Sequence, residues 1–128
     1  MPKEKYQLEY PLNTSLNLIW ARISTPGGLA EWFADDVNLQ GDTYTFIWGN
    51  VQQKAEMIQK KNFRFIRFKW LDDDDEESFF EFRLNQHELS KQLTLSVTDF
   101  ADSEEYDDAI DLWNSQINEL KRGIGLLV

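Results

Sequence analysis

The sequence predicts an α+β fold: a strongly curved antiparallel sheet wrapped around one long C-terminal helix. Three observations carry this. Apolar residues alternate with period two in one segment after another, and the gaps between those segments are hairpin-sized, which demands antiparallel pairing. Between the first strand and the rest, the period switches briefly to that of a helix. The last segment then carries one unbroken helical stripe: Tyr106, Ile110, Trp113, Ile117, Leu120 and Ile124 recur at steps of 4, 3, 4, 3 and 4.

Taken in order, Tyr6, Leu8, Tyr10 and Leu12 define the first strand, and Pro11 suits an edge or strand end. Leu16, Ile19, Trp20 and Ile23 then fall at helical spacing behind Asn13, Thr14 and Ser15 as caps. Thr25-Pro26 starts a second helix, with Thr as N-cap and Pro at the first helical position. Leu29, Trp32 and Phe33 form its apolar face, and Gly27 and Gly28 limit it to about two turns. From Asp35 to Ala101 the pattern is mostly strands. Tyr44, Phe46 and Trp48 alternate, Gly49-Asn50 turns the chain, and Val51, Gln53, Ala55 and Met57 form one side of the next strand. Between Phe63 and Trp70 the phase slips, which predicts a β-bulge or burial on both faces. Phe80, Phe82 and Leu84 face one way, as do Leu93, Leu95 and Val97. The final helix is expected over residues 104–122, with acids at its start and Lys121 and Arg122 near its end, complementing the macrodipole.

The 128 residues suit one domain, 1–128. Thirteen basic against 23 acidic side chains leave a net charge of −10, the wrong sign for a nucleic-acid footprint or for docking on anionic lipid. There is no cysteine and a single histidine, so thiolate chemistry, zinc ribbons and multi-His metal sites are excluded, and no cofactor is expected. No apolar run reaches the roughly 20 residues that span a bilayer. Met1–Tyr10 lacks the apolar core of a signal peptide, so a cytoplasmic location is expected.

Ser15-Leu16-Asn17-Leu18-Ile19-Trp20, followed by Ile23 to Phe33 with its Thr-Pro step and Leu29-Ala30-Glu31-Trp32-Phe33, resembles the START-like (helix-grip, SRPBCC) superfamily. The nearest likeness is to the branch of heat-shock-chaperone ATPase activators, the AHSA type. The closing helix with Trp113 is similar to the family's own. The resemblance implies a helix-grip fold whose sheet and terminal helix enclose a space for a small apolar molecule. It also implies an alternative, a protein-interaction module.

Four constellations bear on function. The run Asp72 to Glu77 has neither the glycine nor the spacing of an EF-hand loop, and reads as a solvated hairpin tip that Asn replacements should leave unaffected. His87 lies in a polar stretch with no partner residues for a triad, and reads as an exposed loop residue. Arg67 and Lys69 share phase with Glu81 and Arg83 on the neighbouring strand, which reads as cross-strand charge pairing rather than a nucleic-acid surface. Aromatics are 14% of the chain. Trp20, Trp32, Phe33, Phe46, Trp48, Phe68, Trp70, Phe80, Phe82 and Trp113 occupy inward positions, and with Met57 and Ile117 they are the candidate cavity lining. Tyr44, Gln53 and Arg64 are polar residues whose role the phase leaves open. The expectation is a non-enzymatic binder of a small, neutral hydrophobic molecule. The alternative uses the acidic surface to bind a basic protein.

Overall fold

The structure, a computed structural model, describes residues 3–126. The chain runs β1 (Glu4–Leu12), α1 (Leu16–Ser24), α2 (Pro26–Leu29), β2 (Asp36–Gln40), β3 (Thr43–Trp48), β4 (Val51–Lys61), β5 (Phe65–Trp70), β6 (Phe80–Gln86), β7 (Leu93–Ala101) and α3 (Tyr106–Gly123). The seven strands form one curved sheet in the order β1-β7-β6-β5-β4-β3-β2. Every pairing in it is antiparallel. With the helices, this is the α+β helix-grip arrangement. Pro11 lies in β1, an edge strand bonded only to β7, where a missing N–H costs least.

The corner between the two short helices is set by side-chain caps and by one glycine. The Ser15 hydroxyl accepts from the Leu18 N–H at 3.2 Å and starts α1. Thr25 Oγ1 accepts from the Gly28 N–H at 2.9 Å and donates to the Ala21 carbonyl at 2.7 Å, so one residue ends α1 and caps α2. A Cβ on Gly28 would lie 2.0 Å from the Ala21 carbonyl oxygen, so only glycine permits this approach. The α-helical part of α2 is shorter than the expected two turns. The chain leaves it in a tight turn that delivers Trp32 and Phe33 inward, both buried.

The phase slip resolves into two local features. The bulge lies on the partner strand: Met57 pairs with Phe68 but Gln59 with Arg67, which leaves Ile58 as the extra residue. Phe65 and Ile66, adjacent on β5, are both buried, because both faces of the sheet are covered there. Phe65 lies on the face away from α3, beneath the Arg83 guanidinium at 4.2 Å. On that face Glu81 accepts across strands from Arg67 at 2.8 Å, the pairing that the sequence predicts, and along its own strand from Arg83 at 3.1 Å. The stripe on α3 buries Trp113, Ile117 and Leu120 fully, while Tyr106 is largely exposed and only its ring edge meets Tyr6.

The acidic run is a correction. Asp73 and Asp75 are only partly exposed and are tied into the fold. Asp73 is 11% exposed, pairs with Lys3 at 3.2 Å, and accepts from the Ser78 hydroxyl and from the Asp75 N–H at 2.9 Å. The Asp75 carbonyl accepts from the Lys69 ammonium, which also donates to the Ser78 carbonyl at 2.8 Å. The segment folds back on itself because short Asp side chains bond the backbone two residues on, and two lysines supply countercharge. Asp72, Asp74, Glu76 and Glu77 are exposed as expected.

Candidate functional site

Phe33 sits at the centre of the molecule. Its ring stacks on Trp113 of α3 (5.7 Å, 18°) and on Phe80 (5.8 Å, 26°), and meets Phe46, Trp48 and Phe82 edge-on. Its carbonyl joins three elements: the Trp48 indole donates to it at 2.8 Å and the Gln116 amide at 3.1 Å. The loop after α2 is therefore wedged between sheet and helix, and it fills the middle of the space they enclose.

A cleft of about 380 Å³ stays open between the sheet and the first half of α3. Its aromatic walls are Phe33, Trp48, Trp70 and Trp113, and Ala109 and Leu112 contribute from the helix. Three polar side chains reach it: Gln53, Asp99 and Gln116. Leu112 is 60% exposed at this cleft. The volume lies in the range of small-molecule sites, and an apolar lining with a few polar groups is their usual composition.

Of the candidate lining residues, the structure brings Phe33, Trp48, Trp70 and Trp113 to the cleft. Phe46, Phe68, Phe80 and Phe82 close on one another instead, with Phe68 and Phe80 stacked at 4.9 Å, and all four are fully buried. Ile117 is buried with them. Trp32 packs against Phe82 at 5.4 Å, and its indole donates to the Arg22 carbonyl at 2.8 Å. It borders a second, shallower depression that shares Phe33, Trp48, Leu112 and Gln116 with the cleft. Trp20 meets Phe63 at 5.8 Å, and Met57 packs against the core opposite Phe68. His87 is exposed in the turn after β6. Among the described residues, no three metal-ligating side chains stand together.

Asp99 is the residue that sequence reasoning passed over. It continues the inward row Leu93, Leu95, Val97 of β7 by one more step of two. Oδ2 accepts from the Trp113 indole at 3.0 Å and the Tyr6 hydroxyl at 3.3 Å, and Oδ1 from the Phe100 N–H at 2.8 Å. Burial pushes its carboxyl above the ordinary value, and those three donors pull it back. Burial and the Asp99 charge push the Tyr6 hydroxyl well up, so it stays a donor. Gln53 follows the same logic, since it is in phase with Ala55 and Met57 on β4.

The comparisons agree with this architecture. The chain matches the START-like superfamily domain over residues 1–126. Protein BfR322 of Bacteroides fragilis, solved by NMR, is 45% identical, with 100% of this chain and 96% of that one covered and a TM-score of 0.71. The Aha1 dimer of Colwellia psychrerythraea is 14% identical, with 92% and 93% covered and a TM-score of 0.77. Protein MLL2253 of Mesorhizobium loti is 13% identical, with 95% and 97% covered and a TM-score of 0.79. No curated protein matches the chain. No helix of the described residues is long and apolar enough to cross a membrane. The match over nearly the whole length, together with a sheet that wraps its terminal helix, makes the chain a member of the START-like superfamily.

Proposed function

We propose that the protein binds a small, mainly apolar molecule in the cleft beside the first half of α3, and acts by holding that molecule rather than transforming it. One observation carries this reading: about 380 Å³ left open between sheet and helix, walled by four aromatic side chains and reached by only three polar ones. Rings elsewhere in the core close on each other, so the opening at Trp48, Trp70 and Trp113 is a local feature. The lining set proposed from sequence narrows to those three and Phe33. The remaining candidates support the site from behind.

The test is a titration of 2-naphthylmethanol, neutral and flat, followed by tryptophan fluorescence. Three of the five tryptophans border the cleft, so binding changes the emission. Filling the cleft from α3 with Ala109→Trp should weaken binding by about tenfold or more. Equal binding by both proteins, or none by either, overturns the reading. The second reading, an interaction module for a basic protein, then leads. It draws support from the acids Glu104, Glu105, Asp107, Asp108 and Asp111, all exposed at the start of α3. Salt-sensitive association with a basic protein is its signature.

A further inference from the structure

A neutral guest is what the sequence leads one to expect, because no buried charge is evident in it. The structure places one in the cleft wall. Asp99 is a carboxylate on the inward row of β7, and it borders the same opening as Trp48, Trp70 and Trp113. A carboxylate has about four acceptor directions, and Asp99 uses three: two at Oδ2 and one at Oδ1. One direction on Oδ1 is left over. All three bonds favour the ionised form, against the burial that raises its carboxyl.

A second carboxylate points the same way. A neighbouring depression shares Gln53 and Trp70 with the cleft and is bordered by Asp102, Asp73 and Lys3. Asp102 Oδ1 is buried and has no hydrogen-bond partner among the described residues. A buried acceptor without a donor is costly, and a ligand donor would relieve it. The cation bordering this depression is Lys3, and its ammonium is engaged by Asp73 at 3.2 Å. The walls suit a cation too, since indole faces attract ammonium groups, more strongly where water is excluded.

From this geometry we infer that the guest is an organic cation: a flat apolar body carrying one protonated amine, with the body between the tryptophans and the ammonium donating to Asp99. The inference rests on the cleft being the ligand site, and it adds the charge of the ligand. It also sets a preference against carboxylate-bearing molecules such as fatty acids, because their charge would meet Asp99 in a poorly solvated place.

Three probes of one shape separate the claims: 2-naphthylmethylamine, 2-naphthylmethanol and 2-naphthoate. The amine should bind about tenfold or more tightly than the alcohol, as a charge-assisted hydrogen bond does in a partly desolvated site, and the carboxylate should bind weakest. Asp99→Asn should bring amine and alcohol within about twofold of each other. Should that variant fail to fold, the wild type supplies its own readout. The Trp113 indole proton donates to Asp99, so its NMR resonance should move with the amine well beyond its movement with the alcohol. Equal binding of amine and alcohol by the wild type, tighter binding of the carboxylate, an amine preference that survives Asp99→Asn, or an indole resonance that responds alike to amine and alcohol overturns the inference and leaves the apolar cleft standing. Binding of none of the three removes the cleft itself.

Discussion

Phe33→Ala tests the idea that one ring plugs the space the fold would otherwise leave open. Phe33 is 4% exposed, and six aromatic rings lie with their centroids 5.0 to 5.9 Å from its own. Its carbonyl bonds to Trp48 and Gln116 involve the main chain and survive the substitution, so the loss is one of packing. A buried Phe→Ala change costs about 3–5 kcal/mol, and flat rings held by their own strands collapse poorly into the gap, which favours the upper half. With the denaturant dependence usual for a small domain, that lowers the urea midpoint by roughly 2 M. Because Phe33 also borders the cleft, the void should open into it, and 2-naphthylmethanol should bind the variant more tightly than the wild type. Phe33→Leu should lie between the two. A loss under about 1 kcal/mol would show that the ring is not packed as described. A normal stability loss with unchanged or weaker probe binding would show that the void and the cleft are separate.

Asp73→Asn should destabilise the protein, whereas Asp74→Asn, at an exposed position, should leave the unfolding free energy from urea titration within about 0.5 kcal/mol of the wild type. Burial alone would raise the Asp73 carboxyl, but bonds from Ser78 and the Asp75 N–H and the nearby Lys3 outweigh it and hold it at about 2. Its folded value is below its unfolded one, so its contribution is complete above about pH 4 and is lost as the pH falls toward 2. The melting temperature should vary less across that pH window for Asp73→Asn than for the wild type. Glu81→Gln removes the charge that Arg67 and Arg83 share, on a side chain 5% exposed. Because both arginines are partly solvated, the cost should be about 1–3 kcal/mol in denaturant titration, and Arg67→Lys should recover less than the wild-type value. Gly28→Ala should cost at least about 2 kcal/mol, read as a fall in melting temperature, because its Cβ meets a carbonyl rather than a side chain that can turn away.

Most elements were legible because they are announced locally, whereas β2, with Val37 alone buried, carries no alternating row and was not singled out. Ser15 and Thr25-Pro26 sit where their capping bonds form, Gly49-Asn50 turns the chain at a positive φ, and the stripe from Ile110 to Leu120 faces the sheet. The acidic run was read less well, because like charges in a row suggest repulsion and solvent. The fold instead brings Lys3, some 70 residues away in sequence, against Asp73. Nothing near Asp73 announces that partner. The bulge shows the same limit in milder form. The irregular phase is visible between Phe63 and Trp70, but the extra residue, Ile58, belongs to the strand opposite.

Whether a residue faces inward is a property of its own strand, and a period of two reveals it. Whether it fills a core or lines an opening depends on what stands across from it. The cleft is made by Phe33 from a loop, Trp48 from β3, Trp70 from β5, Asp99 from β7 and Trp113 from α3, and Phe80 has the same sequence signature as Trp70. Only the arrival of Phe33 over the middle of the sheet divides them, covering Phe46, Phe80 and Phe82 and leaving the ends of the rows uncovered. One kind of signal does survive in sequence. A row of inward residues that ends in a charged side chain, as Leu93, Leu95, Val97 and Asp99 do, needs either a partner or a way to water. In β7 it has both: donors from Tyr6, Phe100 and Trp113, and a place on the cleft wall. The polar residue that breaks an apolar period therefore marks where the core stops being closed.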